Sequence, residues 1–385
     1  MNARNAGNGV SAGSGVDGDG SAAVGPDQRA VVHVVGARPN FIKAAPVIQA
    51  LGALGVRQRI VHTGQHYDPL LSDVFFRDLS LPSPDVSLGV GSGSQGHQTG
   101  ALIVALEDEF VANRPSMVVV YGDVNSTLAA ALVCAKLLIP VAHVEAGLRS
   151  FDATMPEEIN RRVTDILSDL LFVTSPEGLD NLANEGVDAR RVHLVGNPMI
   201  DTLLAHLDSF DPGPVRSRLG VPERYAVATL HRPANVDTPA AATRLVDALR
   251  VLAERLPVVL PLHPRGRQTL GAAGLLGVTG IQVVDPLGYL EFLSLVRGAA
   301  LVVTDSGGIQ EETTVLRIPC LTLRPNTERP VTITHGTNRL VEPEALGPMV
   351  DAALRGELAG PAQGPPLWDG HAGERIAAII AQHLA

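Results

Sequence analysis

MVVVYGDVNSTLAAALVCAKLLIPVAHVEAG, residues 117–147, sets the architecture. Met117–Tyr121 is a short, continuous β-branched run without polar alternation, the pattern of a strand covered on both faces. A stretch of small residues from about Ser126 to Leu138 then reads as a helix, and Val141–Glu145 repeats the buried-strand pattern. Strand, helix and strand in about thirty residues form a βαβ unit, whose two strands lie parallel.

The same rhythm extends in both directions. Val31–Val35 and Arg59–His62 precede the unit as strands, with the helical FIKAAPVIQALGAL between them; Leu171–Thr174 and Val192–Val195 follow it. It resumes after Asn197, with Tyr225–Leu230, Val258–Pro261, Ile281–Val284, Leu301–Thr304 and Cys320–Leu323 separated by helical stretches. Near-continuous apolar strands alternating with helices define an α/β fold with two Rossmann-like domains. The expected division is 29–207, a Pro-, Gly- and charge-rich connection at 208–224, and 225–385, whose last helix is a candidate to pack back on the first domain. Residues 1–28 are rich in Gly, Ala and Ser, lack the basic start and apolar stretch of a signal peptide, and read as a disordered leader.

At 385 residues the chain can bury two cores, and it has no stretch approaching the ~18 apolar residues of a membrane span. A net charge of −10, with acidic and basic residues interspersed, argues against nucleic acid or a membrane surface as partner. Cys134 and Cys320 lie in unrelated apolar segments, which fits two core thiols in a reduced, cytoplasmic protein. Twenty-eight of the thirty basic residues are Arg, so Lys43 stands out at the start of a helix.

Parallel sheets bind ligands beyond the carboxyl ends of their strands. The first such end is Gly36-Ala37-Arg38-Pro39-Asn40-Phe41-Ile42-Lys43, where Arg38 and Lys43 would add charge to a helix N-terminus. Asp305-Ser306-Gly307-Gly308 opens a helix with a turn whose backbone can approach a diphosphate, and Glu312, one turn in, could accept from ribose hydroxyls. Neither a P-loop nor a GxGxxG follows the relevant strands, so nucleoside triphosphatase and dinucleotide-dependent chemistry lose their main support. Asp123, Glu145 and Glu157 gather acids beside the first-domain strand ends. Read singly, Asp123 is equally a helix N-cap, and Glu157 with Arg161 an ordinary surface pair. Read together, clustered carboxylates can separate into an acid and a base near neutral pH. His231-Arg232 and His263-Pro264-Arg265 close two second-domain strands, and no His/Cys/Asp set has zinc spacing, so no metal or other cofactor is called for.

Together GARPNFIKAAP, TGQHYD, YGDVNSTLA, HVEAGLRS, MPEEINRR, GN with Asp201, HRPANVD, TDSGGIQEE and NTERP, in order from about residue 30 to 340, closely resemble the non-hydrolysing UDP-N-acetylglucosamine 2-epimerases. The resemblance implies the glycosyltransferase-B architecture, a UDP-sugar held between the domains, and a homodimer. It implies interconversion of UDP-GlcNAc and UDP-ManNAc through elimination of UDP to 2-acetamidoglucal and re-addition. By motif, Asp123, Glu145, Glu157 and His231 fall on catalytic positions. Arg38, Arg161, Ser306, Gly307, Gly308 and Glu312 fall on UDP-binding positions, and Phe292 matches the residue near uracil; Lys43 and His263 join the expected substrate-binding set. A hydrolysing relative that releases UDP and free ManNAc, or a glycosyltransferase of the same fold, is the alternative. The loop Gln65-His66-Tyr67-Asp68-Pro69 departs from the family's activator-binding loop, as does 89–98, which implies activity without activation by substrate.

Overall fold

A computed structural model describes residues 30–65, 78–79, 81–236, 238–262 and 264–385. The leader 1–28, the second half of the TGQHYD segment (66–68) and His263 lie outside the described residues.

The described chain forms two all-parallel sheets. The first has seven strands in the order β3-β2-β1-β4-β5-β6-β7. These are β1 (Val31–Val35), β2 (Gln58–His62), β3 (Val86–Ser87), β4 (Met117–Tyr121), β5 (Val141–Ala146), β6 (Leu170–Val173) and β7 (Val192–Leu194). The second has six, in the order β10-β9-β8-β11-β12-β13. They are β8 (Ala226–Thr229), β9 (Val258–Pro261), β10 (Ile281–Val284), β11 (Leu301–Thr304), β12 (Cys320–Thr322) and β13 (Asn338–Leu340). The eleven strands expected from sequence are all present; β3 and β13, of two and three residues, were too short to carry a pattern.

Strand β4 shows why the sheet forms. All five of its residues are fully buried, and alternate residues enter different cores. Met117, Val119 and Tyr121 pack with Phe41 and Leu51 on one face, while Val118 and Val120 pack with Leu102 and Leu106 on the other. Each such side chain contributes about 1.5–3 kcal/mol relative to exposure, which no half-solvated strand could match.

Each sheet reverses its winding direction once, between β1 and β4 and between β8 and β11. Such a switch point opens a crevice at the strands' carboxyl ends. The segments GARPN, YGDV, HRPAN and DSGG follow these four strands, so topology alone gathers them.

Segment 208–224 is not merely a tether. It holds a helix, Pro212–Leu219, with Phe210 and Val215 buried, and Arg297 donates to the carbonyls of Leu207 and Phe210. The last helix, Ala372–Leu384, lies against the first-domain helix Arg38–Ala53. A Cβ at Gly373 would meet the Pro46 carbonyl at 2.7 Å, and the Gly373 amide donates to Asp201 at 2.7 Å. Cys134 and Cys320 are free and buried. No helix among the described residues is long and apolar enough to cross a membrane.

One cap is suboptimal. Helix Asn125–Leu137 ends at Leu138, which is left-handed at φ 55° and 83% exposed. A Cβ there costs about 1–2 kcal/mol, and the exposed side chain recovers little by burial. Leu138→Gly is therefore expected to raise stability by about 0.5–1 kcal/mol, after the added freedom of the unfolded chain is subtracted. A urea midpoint that stays unchanged or falls would contradict this.

Candidate active site

The first-domain wall begins at Asn40. Its Oδ1 accepts from the amides of Gly36 and Ala37, each at 3.0 Å, and its Nδ2 donates to the Tyr121 carbonyl at 2.8 Å. This ties the loop after β1 to the loop after β4. Below it, Thr63 and Ser126 are bonded at 2.8 Å, and a Cβ at Gly36 would lie 2.3 Å from the Ser126 hydroxyl oxygen. Buried Gln65 accepts from the Ser126 amide and hydroxyl, and its carbonyl accepts from Gln98, so the start of the divergent loop is anchored to helix Asn125–Leu137.

Glu145 sits at the end of β5 with φ 79°, beside a bulge between Val144 and Ala146. A non-glycine residue held left-handed stores strain of order 1–3 kcal/mol, which persists only where surrounding contacts over-determine it. Here the contacts are ionic. The buried carboxylate accepts from Lys43 Nζ on one oxygen and from Arg329 on the other, the latter at 2.7 Å. Gly122 makes room: its added Cβ would stand 3.0 Å from Glu145 Oε2 and 3.1 Å from Lys43 Nζ. Burial opposes ionisation of Glu145, but the two cations outweigh it and hold the carboxyl well below its ordinary range.

Asp123 is partly exposed and pairs with Arg161, whose other nitrogen donates to Glu158 at 2.6 Å. The surface-pair reading of Glu157 with Arg161 is thus corrected. The guanidinium is buried and serves Asp123 and Glu158, because Glu158 turns inward to accept from Ser150 and Phe151 amides as well. Glu157 lies half-buried in the first turn of the same helix, Pro156–Leu167.

On the second-domain wall, buried Asp305 accepts from the amides of His231 and Arg232 and from Asn235. His231 Nδ1 lies 3.0 Å from Asp305, and the ring is otherwise 64% exposed, so an anchored imidazole stands open at the wall. Burial opposes ionisation of Asp305 too, but these donors keep its carboxyl below its usual range. Ser306, Gly307 and Gly308 begin helix Gly307–Leu316, and the Ser306 side chain makes no capping bond. First-turn amides have no intrahelical partner and carry the positive end of the helix dipole. A Cβ at Gly307 would be 2.5 Å from Arg329 Nη1, so the guanidinium rests directly on this turn.

Arg329 joins the two walls. Besides Glu145 it pairs with Glu311 at 3.1 Å and Glu328 at 3.0 Å, and Glu328 pairs in turn with Arg324 at 2.7 Å and Arg232 at 3.3 Å. Glu311 also accepts from Asn197, at 3.0 Å. Burial pushes the Glu311 carboxyl up, with Arg329 opposing and Glu145 adding repulsion. Arg329, Glu311, Asp305 and Glu158 were not singled out from sequence. The available signal is the NTERP motif with Arg324 two residues before it, since Arg324, Glu328 and Arg329 put three charges shortly after a buried strand.

Glu312 is buried, and burial raises its carboxyl to about 8, although a bond from Tyr289 pulls the other way. An acid whose folded pKa exceeds its unfolded value binds its proton more tightly when folded. Its stabilisation is present below about pH 4.5 and is lost as pH rises towards 8. Glu312→Gln is expected to flatten the stability–pH curve over that window and to gain on wild type, by on the order of a few kcal/mol, above it. Parallel pH curves for the two proteins in urea unfolding would contradict this. Phe292, in helix Tyr289–Arg297, is half-buried against the core. The Arg38 side chain lies outside the described residues. Among the described residues no three His, Cys, Asp or Glu side chains are grouped to hold a metal ion.

Residues 50–381 match the family model described as UDP-N-acetylglucosamine 2-epimerase. The UDP-N-acetylglucosamine 2-epimerase of Methanocaldococcus jannaschii is 40% identical, over 90% of this chain and 97% of that one. The UDP-2,3-diacetamido-2,3-dideoxy-D-glucuronate 2-epimerase of Pseudomonas aeruginosa is 42% identical, over 91% and 99%. The crystal structure of the Methanocaldococcus jannaschii enzyme in complex with UDP-GlcNAc and UDP superposes with a TM-score of 0.85 at 39% identity, over 91% of this chain and 99% of that one. The Neisseria meningitidis enzyme bound to UDP-GlcNAc superposes with a TM-score of 0.84 at 28% identity, over the same shares. The two-sheet architecture is therefore the glycosyltransferase-B-like one of these epimerases.

Proposed function

The chain belongs to the UDP-N-acetylglucosamine 2-epimerase family, and on that premise we propose that it inverts C2 of UDP-GlcNAc to give UDP-ManNAc without net hydrolysis. The observation that carries the proposal is the Glu145–Arg329 contact at 2.7 Å, which sets a first-domain carboxylate beside the Ser306–Gly308 turn of the second domain. Acid–base chemistry and an anion grip thereby share one cleft.

In this reading the diphosphate lies on the amides of Ser306, Gly307 and Gly308, with Arg329, Arg38, Lys43 and His263 supplying charge. Glu312 accepts from the ribose and Phe292 lies near uracil. One of Asp123, Glu145 and Glu157 takes the C2 proton. The C2–H electron pair becomes the C1–C2 double bond of the glucal, and the C1–O pair leaves with UDP. Re-addition of the same UDP oxygen to C1, with a proton delivered to C2 from the opposite face, completes the inversion. The C2–H bond is a poor acid, so C1–O cleavage must lead, and fixed cations around the departing diphosphate favour it. Glu145 is a weak base while both Lys43 and Arg329 hold it. A diphosphate that shares those cations raises its basicity as substrate binds. His231, oriented by Asp305, serves as the second-domain acid–base group.

The 42% identity to a 2,3-diacetamido uronate epimerase supports a second reading in which the hexosamine carries a 3-acetamido group and a carboxylate. Proton and phosphorus NMR over both classes of UDP-sugar separates the readings. The expected result is approach to one UDP-GlcNAc/UDP-ManNAc ratio from either side, with free UDP remaining at a trace. Equimolar UDP and free ManNAc would replace this reading with the hydrolysing one, and turnover of the uronate alone would replace the substrate.

A further inference from the structure

Beneath the acid cluster lies a buried polar group that the chemistry above does not use. His143, two residues before Glu145 on β5, is fully buried. Its Nε2 is 2.8 Å from the Gly122 carbonyl, and its Nδ1 is 2.7 Å from Asp165 Oδ1. A carbonyl only accepts, so Nε2 donates. The other Asp165 oxygen accepts from the Gly147 amide at 3.1 Å and pairs with Arg149 at 2.7 Å. Burial works against ionisation of Asp165, but His143 and Arg149 together hold its carboxyl below the usual range.

Each bond ends on a segment that carries a candidate acid. Gly122 is left-handed at φ 65° and immediately precedes Asp123; its amide donates to the Val144 carbonyl at 3.0 Å. Gly147 follows Glu145 by two residues and is also left-handed, at φ 80°. Asp165 lies on helix Pro156–Leu167, at the i,i+4 spacing that runs from Glu157 through Arg161. One imidazole–carboxylate pair thus fixes the Asp123 turn, the strained end of β5 and the helix of Glu157 relative to one another. A buried polar pair of this kind is costly for stability compared with apolar packing, and an apolar pair at these positions could not reach two backbone groups.

We infer that His143 and Asp165 are positioning residues for the epimerisation, holding the backbone of the three acid-bearing segments in register without touching substrate. The inference rests on the proposed function for its reaction, but its geometry is independent of it. Misplacing reacting groups by about 1 Å costs on the order of 10²-fold in rate. In the proposed reading the diphosphate lies mainly on the second-domain turn Ser306–Gly308, to which neither His143 nor Asp165 is bonded.

The test uses the full-length His143→Gln and Asp165→Asn proteins, each below its own unfolding temperature. Turnover of UDP-GlcNAc is expected to fall about 30- to 100-fold in kcat, with KM and the calorimetric Kd for UDP within about twofold of wild type. Amide hydrogen exchange of the segments 117–128 and 143–150 is expected to accelerate at least tenfold, with the second domain unchanged. Wild-type kcat in either variant, or unchanged exchange in both segments, would overturn the inference. A parallel loss of UDP binding and kcat would reduce the pair to a structural role and overturn it equally. If wild type itself does not turn over UDP-GlcNAc, the functional reading fails, and the amide exchange still decides the positioning claim.

Discussion

Glu145→Gln is expected to lower the epimerisation kcat by about 10³-fold, while UDP binds within about tenfold of wild type. General acid–base catalysis contributes 10²–10⁴-fold where the proton-transferring group is removed. Gln keeps the volume that fits beside Gly122 and can still accept from Lys43 or Arg329, so the walls stay together. What it lacks is the ability to take up a proton. The left-handed backbone at Glu145 supports a dedicated role, because strain at a buried strand end has no benefit for packing. Some stability is lost as well, about 1–3 kcal/mol, since two buried cations then share one fewer anion. Steady-state turnover and UDP calorimetry on the same preparation check the split. A decrease of less than tenfold in kcat would remove Glu145 from the proton-transfer chemistry.

Arg329→Met carries the largest expected loss of stability, about 3–5 kcal/mol. The wild-type guanidinium neutralises Glu145, Glu311 and Glu328 at once. Methionine fills much of the volume and none of the charge, leaving buried carboxylates facing one another across the domain boundary. The pH dependence has a definite sign. In wild type Glu145 and Glu328 lie low, with stability that is lost as pH falls through their folded values. Without Arg329 the folded pKa values of all three acids rise, so the folded variant takes up protons more readily than wild type does. The destabilisation should therefore be greatest at and above neutral pH and shrink towards pH 5. Urea unfolding of both proteins between pH 5 and 8 measures this directly. A destabilisation that is constant or grows on acidification would show that the carboxylates are not held by Arg329.

The parts of the molecule governed by local pattern were legible in the sequence. β4 reads as a buried strand because every residue of MVVVY is apolar, and every one is buried. The glycines at 307 and 308 read as a turn of close backbone approach; a Cβ at Gly307 would stand 2.5 Å from the Arg329 guanidinium, whereas one at Gly308 would make only ordinary contact with Met199. What could not be read depends on contacts between segments far apart. Glu145 and Arg329 are 184 positions apart and meet only after both domains fold and face each other. The left-handed backbone at Glu145 leaves no mark on a run that reads as ordinary strand. Within helix Pro156–Leu167, spacing suggested Glu157 as the partner of Arg161. The inward turn of Glu158 is decided by amides of the preceding loop, Ser150 and Phe151, and not by helical spacing. His143 read as one more residue of an apolar strand, and its bonds to Gly122 and Asp165 required the neighbouring strand and the next helix to be in place.

The most direct test of C2 inversion by elimination and re-addition is deuterium incorporation from D2O, followed by NMR and mass spectrometry of recovered UDP-sugars. Incubation of the wild-type protein with UDP-GlcNAc is expected to place deuterium at C2 of both UDP-GlcNAc and UDP-ManNAc, with the nucleotide still attached to each. UDP-ManNAc that forms with its C2 proton retained, or a UDP-sugar pool that stays unlabelled and unepimerised after prolonged incubation, would contradict it.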